Sequence, residues 1–392
     1  MFRATVEKFF KLEAAGGILL IIAAVLAMLL KNSQFADVYE AFLDTPVEIR
    51  IGELYIAKPL FLWVNDLLMA VFFFMIGMEV KREVMVGELS SMSQVALPAI
   101  AGVGGIIVPA GLYFLLTMDD PAAIDGWAIP TATDIAFALG ILALVGPGVP
   151  ATLKLFLMTL AIIDDLGAIV IIAIFYTTEM SVLSLSIAVG AIFFLVIMKL
   201  KKVTTIAPYL LVGVVLWTAV LKSGVHATLA GVILGFFIPL KATDSDGNED
   251  SPLERLIHEL HPAVAYGILP LFAFVNAGVI LSGMSIDDVL SGIPLAIAVG
   301  LFFGKQIGVF GFAWVAIMLG WSQKPTGTNW GQLYGVAILC GVGFTMSLFI
   351  GSLAFEESGM GYSRPDRLGI ITGSLLAGVF GYIVVKLSTP KK

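Results

Sequence analysis

Long apolar runs, separated by short charged or Gly/Pro-rich connections, repeat along the whole chain. Stretches of at least about 16 apolar residues mark bilayer-crossing candidates. They fall at approximately 12–30, 59–80, 95–116, 126–145, 153–176, 181–198, 206–221, 223–240, 262–281, 291–320, 332–354 and 368–386, twelve spans in all. Between the first two, Pro46 to Lys58 (PVEIRIGELYIAK) alternates apolar and polar positions around Gly52. That period of two predicts a short β-hairpin outside the membrane, with free edges suited to a dimer contact; an irregular loop with accidental alternation is the other reading. The only long polar connection is Lys241 to Glu259, rich in Asp and Gly in its first half. Its second half, LERLIHELHP, is expected to begin the next helix at the cytoplasmic surface. The connection divides the spans eight and four without marking a boundary, so residues 1–392 read as a single transmembrane domain.

Composition narrows the class. With 59% hydrophobic and 13% charged residues, 392 residues cannot make a soluble globule with an ordinary surface. An all-α polytopic membrane protein follows, and 41 glycines suit helices that must approach closely or break. One cysteine, Cys340, excludes an internal disulfide framework. A net charge of −7 without a basic run gives no sign of a nucleic-acid partner. The N-terminal MFRATVEKFFKLE lacks a small-residue cleavage site, so the first segment is expected to be a retained helix. A cytoplasmic N-terminus places 15 Lys and Arg on that side and 6 on the other, while the last of the 22, Lys305, falls inside a span. Both termini are therefore expected in the cytoplasm.

The residues that should not be in a membrane carry the chemistry. Asp164 and Asp165 are the only charges in LFLMTLAIIDDLGAIVIIAIFY, Leu155 to Tyr176. An ionisable group at membrane depth normally faces protein or water and marks an ion or proton path. Neighbours on a helix point about 100° apart, so the two cannot share one partner face. In AIPTATDIAFALG, Pro130 removes a backbone donor, Thr131 and Thr133 offer hydroxyls to the freed groups, and Asp134 adds a carboxylate. An unwound helix is expected there, against the plainer reading of a proline kink. Cys340 to Met346 (CGVGFTM) predicts a second break at Gly341 and Gly343. Interrupted spans in corresponding places point to a transporter site, with spans three to five and ten to twelve as the halves. Pro98-Ala-Ile-Ala-Gly102 faintly echoes Pro294-Leu-Ala-Ile-Ala-Val-Gly300.

Lys305 stands among Gly300, Gly304 and Gly308, whose spacing leaves one helix face bare for close packing. Unless it snorkels to an interface, it needs one of Asp134, Asp164 and Asp165 as its anion. We take Asp164 as that partner and Asp165 as the cation ligand. At the membrane edge lie Asp66, Glu79, Lys81, Arg82 and Glu83, where interfacial anchoring is the plain reading. His226, His258 and His261 are the only histidines. Two histidines three residues apart suggest a metal less than a pH-responsive role, because histidine titrates near neutrality.

These segments resemble the NhaA-type sodium/proton antiporters over essentially the whole chain. The resemblance rests on FFFMIGMEVKRE (Phe72–Glu83), WAIPTATDIAFALG (Trp127–Gly140), LAIIDDLGAIVIIA (Leu160–Ala173), SGVHATLAGVILG (Ser223–Gly235), LPLFAFVNAGV (Leu269–Val279) and CGVGFTMSLFI (Cys340–Ile350). It implies twelve transmembrane helices, an inverted-topology repeat with two broken crossing helices, a small periplasmic hairpin and a homodimer in the bacterial inner membrane. The NhaA type is one of the instances from which the rule about interrupted spans was drawn. Residue by residue, Asp164 and Asp165 become the cation and proton site, Thr133 and Asp134 the polar pair at a break, and Lys305 the buried lysine. Glu79, Arg82, Glu83, His226, His258 and His261 become a pH-response region. The sequence departs from the pattern at Ile257, where an acid is expected, and at Glu254, where a base is expected.

The function that follows is secondary exchange of Na+ or Li+ for H+, by competition of cation and protons for one carboxylate site. It needs no cofactor and no covalent chemistry, so the chain is not an enzyme. A sodium-coupled solute symporter would need a roomier site with groups that recognise an organic solute. An intramembrane aspartyl protease would place Asp after Gly341-Val-Gly343, where Phe344 stands. A pH-gated channel would conduct far faster than a carrier turns over.

Overall fold

The computed structural model describes residues 15–390 apart from 53, 91, 147, 178–180, 244–248, 284 and 356–363. The expectations for the N-terminal MFRATVEKFFKLE and for the heart of the polar connection, residues 244–248, lie outside the described residues. The helices are α1 (Ala15–Lys31), α2 (Ala36–Leu43), α3 (Leu60–Met85), α4 (Met92–Thr117), α5 (Ile135–Val145), α6 (Ala151–Phe175), α7 (Val182–Leu200), α8 (Ile206–Leu221), α9 (Thr228–Phe237), α10 (Pro252–Asn276), α11 (Gly292–Met318), α12 (Trp330–Leu339), α13 (Phe344–Phe355) and α14 (Pro365–Ser388). A 3-10 helix, Ile124–Thr131, precedes α5.

Among the described residues nine helices are long and apolar enough to cross a bilayer, with α5 and its 3-10 helix, and α12 with α13, each taken as one span. The number is ten if α1 and α2, bent 117° apart, count together. Helices α8 and α9 are apolar but shorter. Val189, Phe193, Leu211 and Val214 are exposed on α7 and α8, an outer surface that belongs in hydrocarbon. The chain is a multi-pass membrane protein.

Local chemistry explains the element ends. Ser181 accepts a hydrogen bond from Ser184 N and caps α7. Ser251 does the same from Glu254 N, with Pro252 in the first turn of α10. Asn329 and Gln332 form a reciprocal capping box at the start of α12. The hairpin forms as the alternation requires: β1 (Pro46–Ile51) pairs antiparallel with β2 (Leu54–Pro59), Ile51 opposite Leu54, and Gly52 takes φ +58°.

Two expected boundaries are corrected. The ninth span was expected over 262–281, yet α10 runs from Pro252 to Asn276. Its amphipathic start, Pro252–Ala263, holds the stretch LERLIHELHP that was expected to begin this helix, and it adds to the apolar span. Its end comes early because Asn32 Nδ2 donates to Val279 O, Leu281 N donates to Asn32 Oδ1 and Arg367 donates to Gly278 O, which holds 278–281 out of the helix. The eighth span, expected over 223–240, is helical only over Thr228–Phe237.

Two compact units are distinguished. The first comprises Met1–Glu40, Ser91–Ala168 and Ala273–Lys392. Its core gathers Leu97, Leu142, Leu157, Leu160, Val309 and Val336 from α4, α5, α6, α11 and α12. Helices α4 and α11 meet where a Cβ on Gly308 would stand 2.1 Å from Gly104 O, so only glycine allows that approach. The second comprises Ala41–Ser90 and Ile169–Phe272. There α3 packs on α9, and a Cβ on Gly231 would meet Ala70 O at 2.1 Å. Its core includes Phe74, Met78, Leu195, Leu216, Leu234 and Leu253.

Candidate functional site

The site lies within the first unit, where two broken spans meet. Pro130 ends regular structure in the first: after the 3-10 helix, Ala132 and Asp134 are extended, with ψ 152° and 101°. In the second, α12 stops at Leu339 and α13 starts at Phe344, leaving Cys340 to Gly343 between them. A Cβ on Gly341 would lie 2.3 Å from Leu301 O, which explains a glycine there. Both breaks fall where the sequence places them.

Each break supplies the groups that the other frees. Thr133 Oγ1 lies 2.9 Å from Cys340 O, and Ser347 Oγ donates to Ile129 O at 2.7 Å. Asp134 N donates to Val342 O at 2.7 Å. The Asp134 carboxylate then serves two helix starts at once. Its Oδ1 accepts from Phe137 N at 2.9 Å and caps α5, and its Oδ2 accepts from Thr345 N at 3.1 Å and from Thr345 Oγ1. A negative charge at two helix N-termini is favourable, since each carries a partial positive charge and unpaired N–H groups.

Asp164 and Asp165 project from α6 beside this crossing, 1% and 3% exposed. Lys305 Nζ donates to Asp164 Oδ2 at 2.6 Å, and both side chains are fully buried. Thr133 Oγ1 lies 2.7 Å from the same oxygen. Its single proton serves either Asp164 or Cys340 O, not both. On α4, Gly102 and Gly105 form a bare wall, with ideal Cβ positions 3.6 Å from Asp164 Oδ1 and 3.5 Å from Lys305 Nζ. Asp165 makes contacts of its own; among the described residues no donor reaches its Oδ1 or Asp164 Oδ1, both of them buried. A buried acceptor without a donor is costly, and oxygen is the ligand that hard cations take. The arrangement can therefore hold a small cation or a proton, with an ammonium in competition for one carboxylate.

The structure thus brings Thr133, Asp134, Asp164, Asp165 and Lys305 together. The residues assigned to pH response lie in the second unit. Arg82 donates to Glu83 Oε1 at 2.8 Å near the end of α3, and Glu79 is half-buried one turn earlier. His226 is half-buried before α9, its Nδ1 3.4 Å from Thr228 Oγ1. His258 and His261 are exposed on α10, with Ile257 buried beside them. Sequence reasoning missed Ser347 and the Gly102–Gly105 wall. A serine inside an otherwise apolar helix was the available signal for the first.

Comparison with known proteins agrees with this geometry. The family described as Na+/H+ antiporter 1 matches residues 7–385. The Na+/H+ antiporter NhaA of Pseudomonas fluorescens (strain Pf0-1) is 58% identical over 389 residues, covering 99% of this chain and 98% of its own. That of Pseudomonas putida (strain GB-1) is 56% identical over 389 residues, covering 99% of each chain. That of Sulfurovum sp. (strain NBC37-1) is 54% identical over 387 residues, covering 99% and 98%. These relatives are named as exchangers, which leaves the symporter alternative unsupported. The chain belongs to the Na+/H+ antiporter 1 family, whose members are transporters and not enzymes.

Proposed function

We propose that this chain exchanges Na+, or Li+, for H+ across the bacterial inner membrane as a pH-regulated, electrogenic homodimer. The observation that carries this is the buried carboxylate pair, with Asp164 Oδ2 held by Lys305 and Asp164 Oδ1 without a donor among the described residues. A cation entering beside Asp165 meets carboxylate oxygens buried from the surface. Binding it is incompatible with protonated carboxylates, so cation and protons alternate at one place. Asp165 is the sodium ligand; Asp164 releases Lys305 during the cycle and takes a proton in its turn. Thr133 follows whichever charge Asp164 carries, by moving its one proton between Asp164 and Cys340 O. Asp134 keeps both half-helix starts in place while the site turns over. The two ion gradients supply the free energy.

The architecture that fits this reading has twelve spans in a single domain, related as an inverted repeat, with both termini cytoplasmic and the hairpin in the periplasm. Glu79, Arg82, Glu83, His226, His258 and His261 form the pH-response region in it, with lesser roles for His258 and His261 because Ile257 interrupts the acidic pattern beside them. Addition of Na+ to everted vesicles should drive proton efflux, measured across a pH series. Vesicles carrying Asp165→Asn should show none; exchange at the unmodified rate in that variant would overturn the assignment.

A further inference from the structure

Lys305 does not sit on a regular α-helix. It lies between two π-helical turns of α11, Gly300–Gly304 and Gln306–Phe310. Its own N–H donates to Gly300 O, five residues back rather than four. A π turn takes up one more residue than an α turn, so each turns the helix face beyond it by about 100°. Lys305 is aimed at Asp164 only while that register lasts.

The residue next to it holds the register from the side. In a regular helix Phe302 O would receive the N–H of residue 306. Here the Gln306 side chain reaches that carbonyl, with Nε2 donating to Phe302 O at 2.7 Å. The other end of the same carboxamide is also occupied, because Tyr334 OH donates to Gln306 Oε1 at 2.7 Å. Tyr334 belongs to α12, the first half of the second broken span, and its ring meets Phe310 edge-on with centroids 5.1 Å apart. Gln306 itself is buried, 9% exposed, while Tyr334 reaches it from the exposed side of α12. At its far end α12 leads to Cys340 O, which lies within reach of Thr133 and, through it, of Asp164.

We infer that Gln306 is a positioning residue. Fastened to Phe302 O at one end and Tyr334 at the other, it locks the π register that aims Lys305 at Asp164. It thereby sets how firmly the ammonium competes with Na+ for that carboxylate. The inference rests on the exchange reading only in naming the ion. Without the lock, the segment relaxes towards α-helix and the lysine swings off Asp164. Na+ then binds against a weaker competitor.

The test is Na+ binding by calorimetry on the purified full chain at one alkaline pH, which requires no transport. Tyr334→Phe removes only the hydroxyl and keeps the ring on Phe310; Gln306→Met removes both bonds at similar volume. Each should lower the dissociation constant for Na+ by about threefold or more, the lower end of coupling between side chains in contact. The double variant should add nothing to the stronger single one. In a Lys305→Gln background neither change should alter Na+ affinity, because the competitor is gone. Unchanged or weakened Na+ affinity in both single variants would overturn the inference. So would a shift of equal size without Lys305, since that is ordinary packing. Unmodified protein that binds Na+ without exchanging it would remove the exchange reading and leave this inference intact, and protein that binds none would remove both.

Discussion

Asp164→Asn should harm this protein more than the double change Asp164→Asn with Lys305→Gln. In the native pair the ammonium and carboxylate are 2.6 Å apart with both side chains fully buried. At an effective dielectric of 20 their attraction is about 6 kcal/mol, most of it offset by the desolvation of two charges. Asparagine keeps an oxygen for Thr133 but leaves the lysine charge buried without its counter-charge. Removing one member of a buried pair costs about 3–5 kcal/mol, whereas replacing both is often close to neutral. The single variant should therefore unfold at lower temperature in detergent, and the double variant should recover most of the loss. In proteoliposomes the double variant should exchange more Na+ for H+ than Asp164→Asn alone. Its rate should respond less to valinomycin, because one mobile charge has left the cycle. A double variant no more stable and no more active than the single one would refute the division of labour between the two aspartates.

Other outcomes follow from the same geometry. If cation and proton exclude each other at the site, the apparent KM for Na+ should fall about tenfold per pH unit towards alkaline pH until the carboxylates are ionised; a KM flat across the series would sink the competition model. Asp134→Ala removes the carboxylate from the starts of α5 and α13 and should cost about 1–4 kcal/mol by two lost caps. Asp134→Asn should regain part of that in the same melting measurement. Gly308→Ala places a methyl 2.1 Å from Gly104 O and should destabilise by about 1–3 kcal/mol. Gly111→Ala, with nothing within 4 Å of its Cβ position, should be neutral or slightly stabilising. Cysteines at Ser33 and Ser251, with Cys340 replaced, should be labelled from opposite sides by an impermeant thiol reagent; same-side labelling would end the twelve-span proposal.

Much of this was legible along the chain. Hydrocarbon tolerates a charge only where protein or water receives it, so Asp134, Asp164, Asp165 and Lys305 announced themselves by being there at all. The breaks were legible for a related reason. Proline with threonines at 130–133, and glycines at 341 and 343, are local causes whose effect needs no distant partner. The hairpin likewise followed from a period of two around Gly52.

What the sequence could not supply was azimuth and company. The expected pairing of Lys305 with Asp164 forms, but the two aspartates are chemically identical and adjacent, so what decides it is which face of α6 meets a lysine 141 positions away. The fold makes that choice where α11 packs closely on α4 at Gly104 and Gly308, with Gly102 and Gly105 of α4 lying against Asp164 Oδ1 and Lys305 Nζ. The two π turns that aim Lys305, and the Gln306 bond to Tyr334, have no local signature because they depend on register between helices. Asp134 capping Thr345 across 211 residues is of the same kind. The end of α10 at Asn276 is another, because an apolar run continues past it while Asn32 and Arg367, brought from elsewhere, bind its carbonyls. Burial and backbone breaking are properties of a residue and its neighbours, and a sequence records them. Pairing inside the bilayer is a property of where helices cross, and only the folded chain decides it.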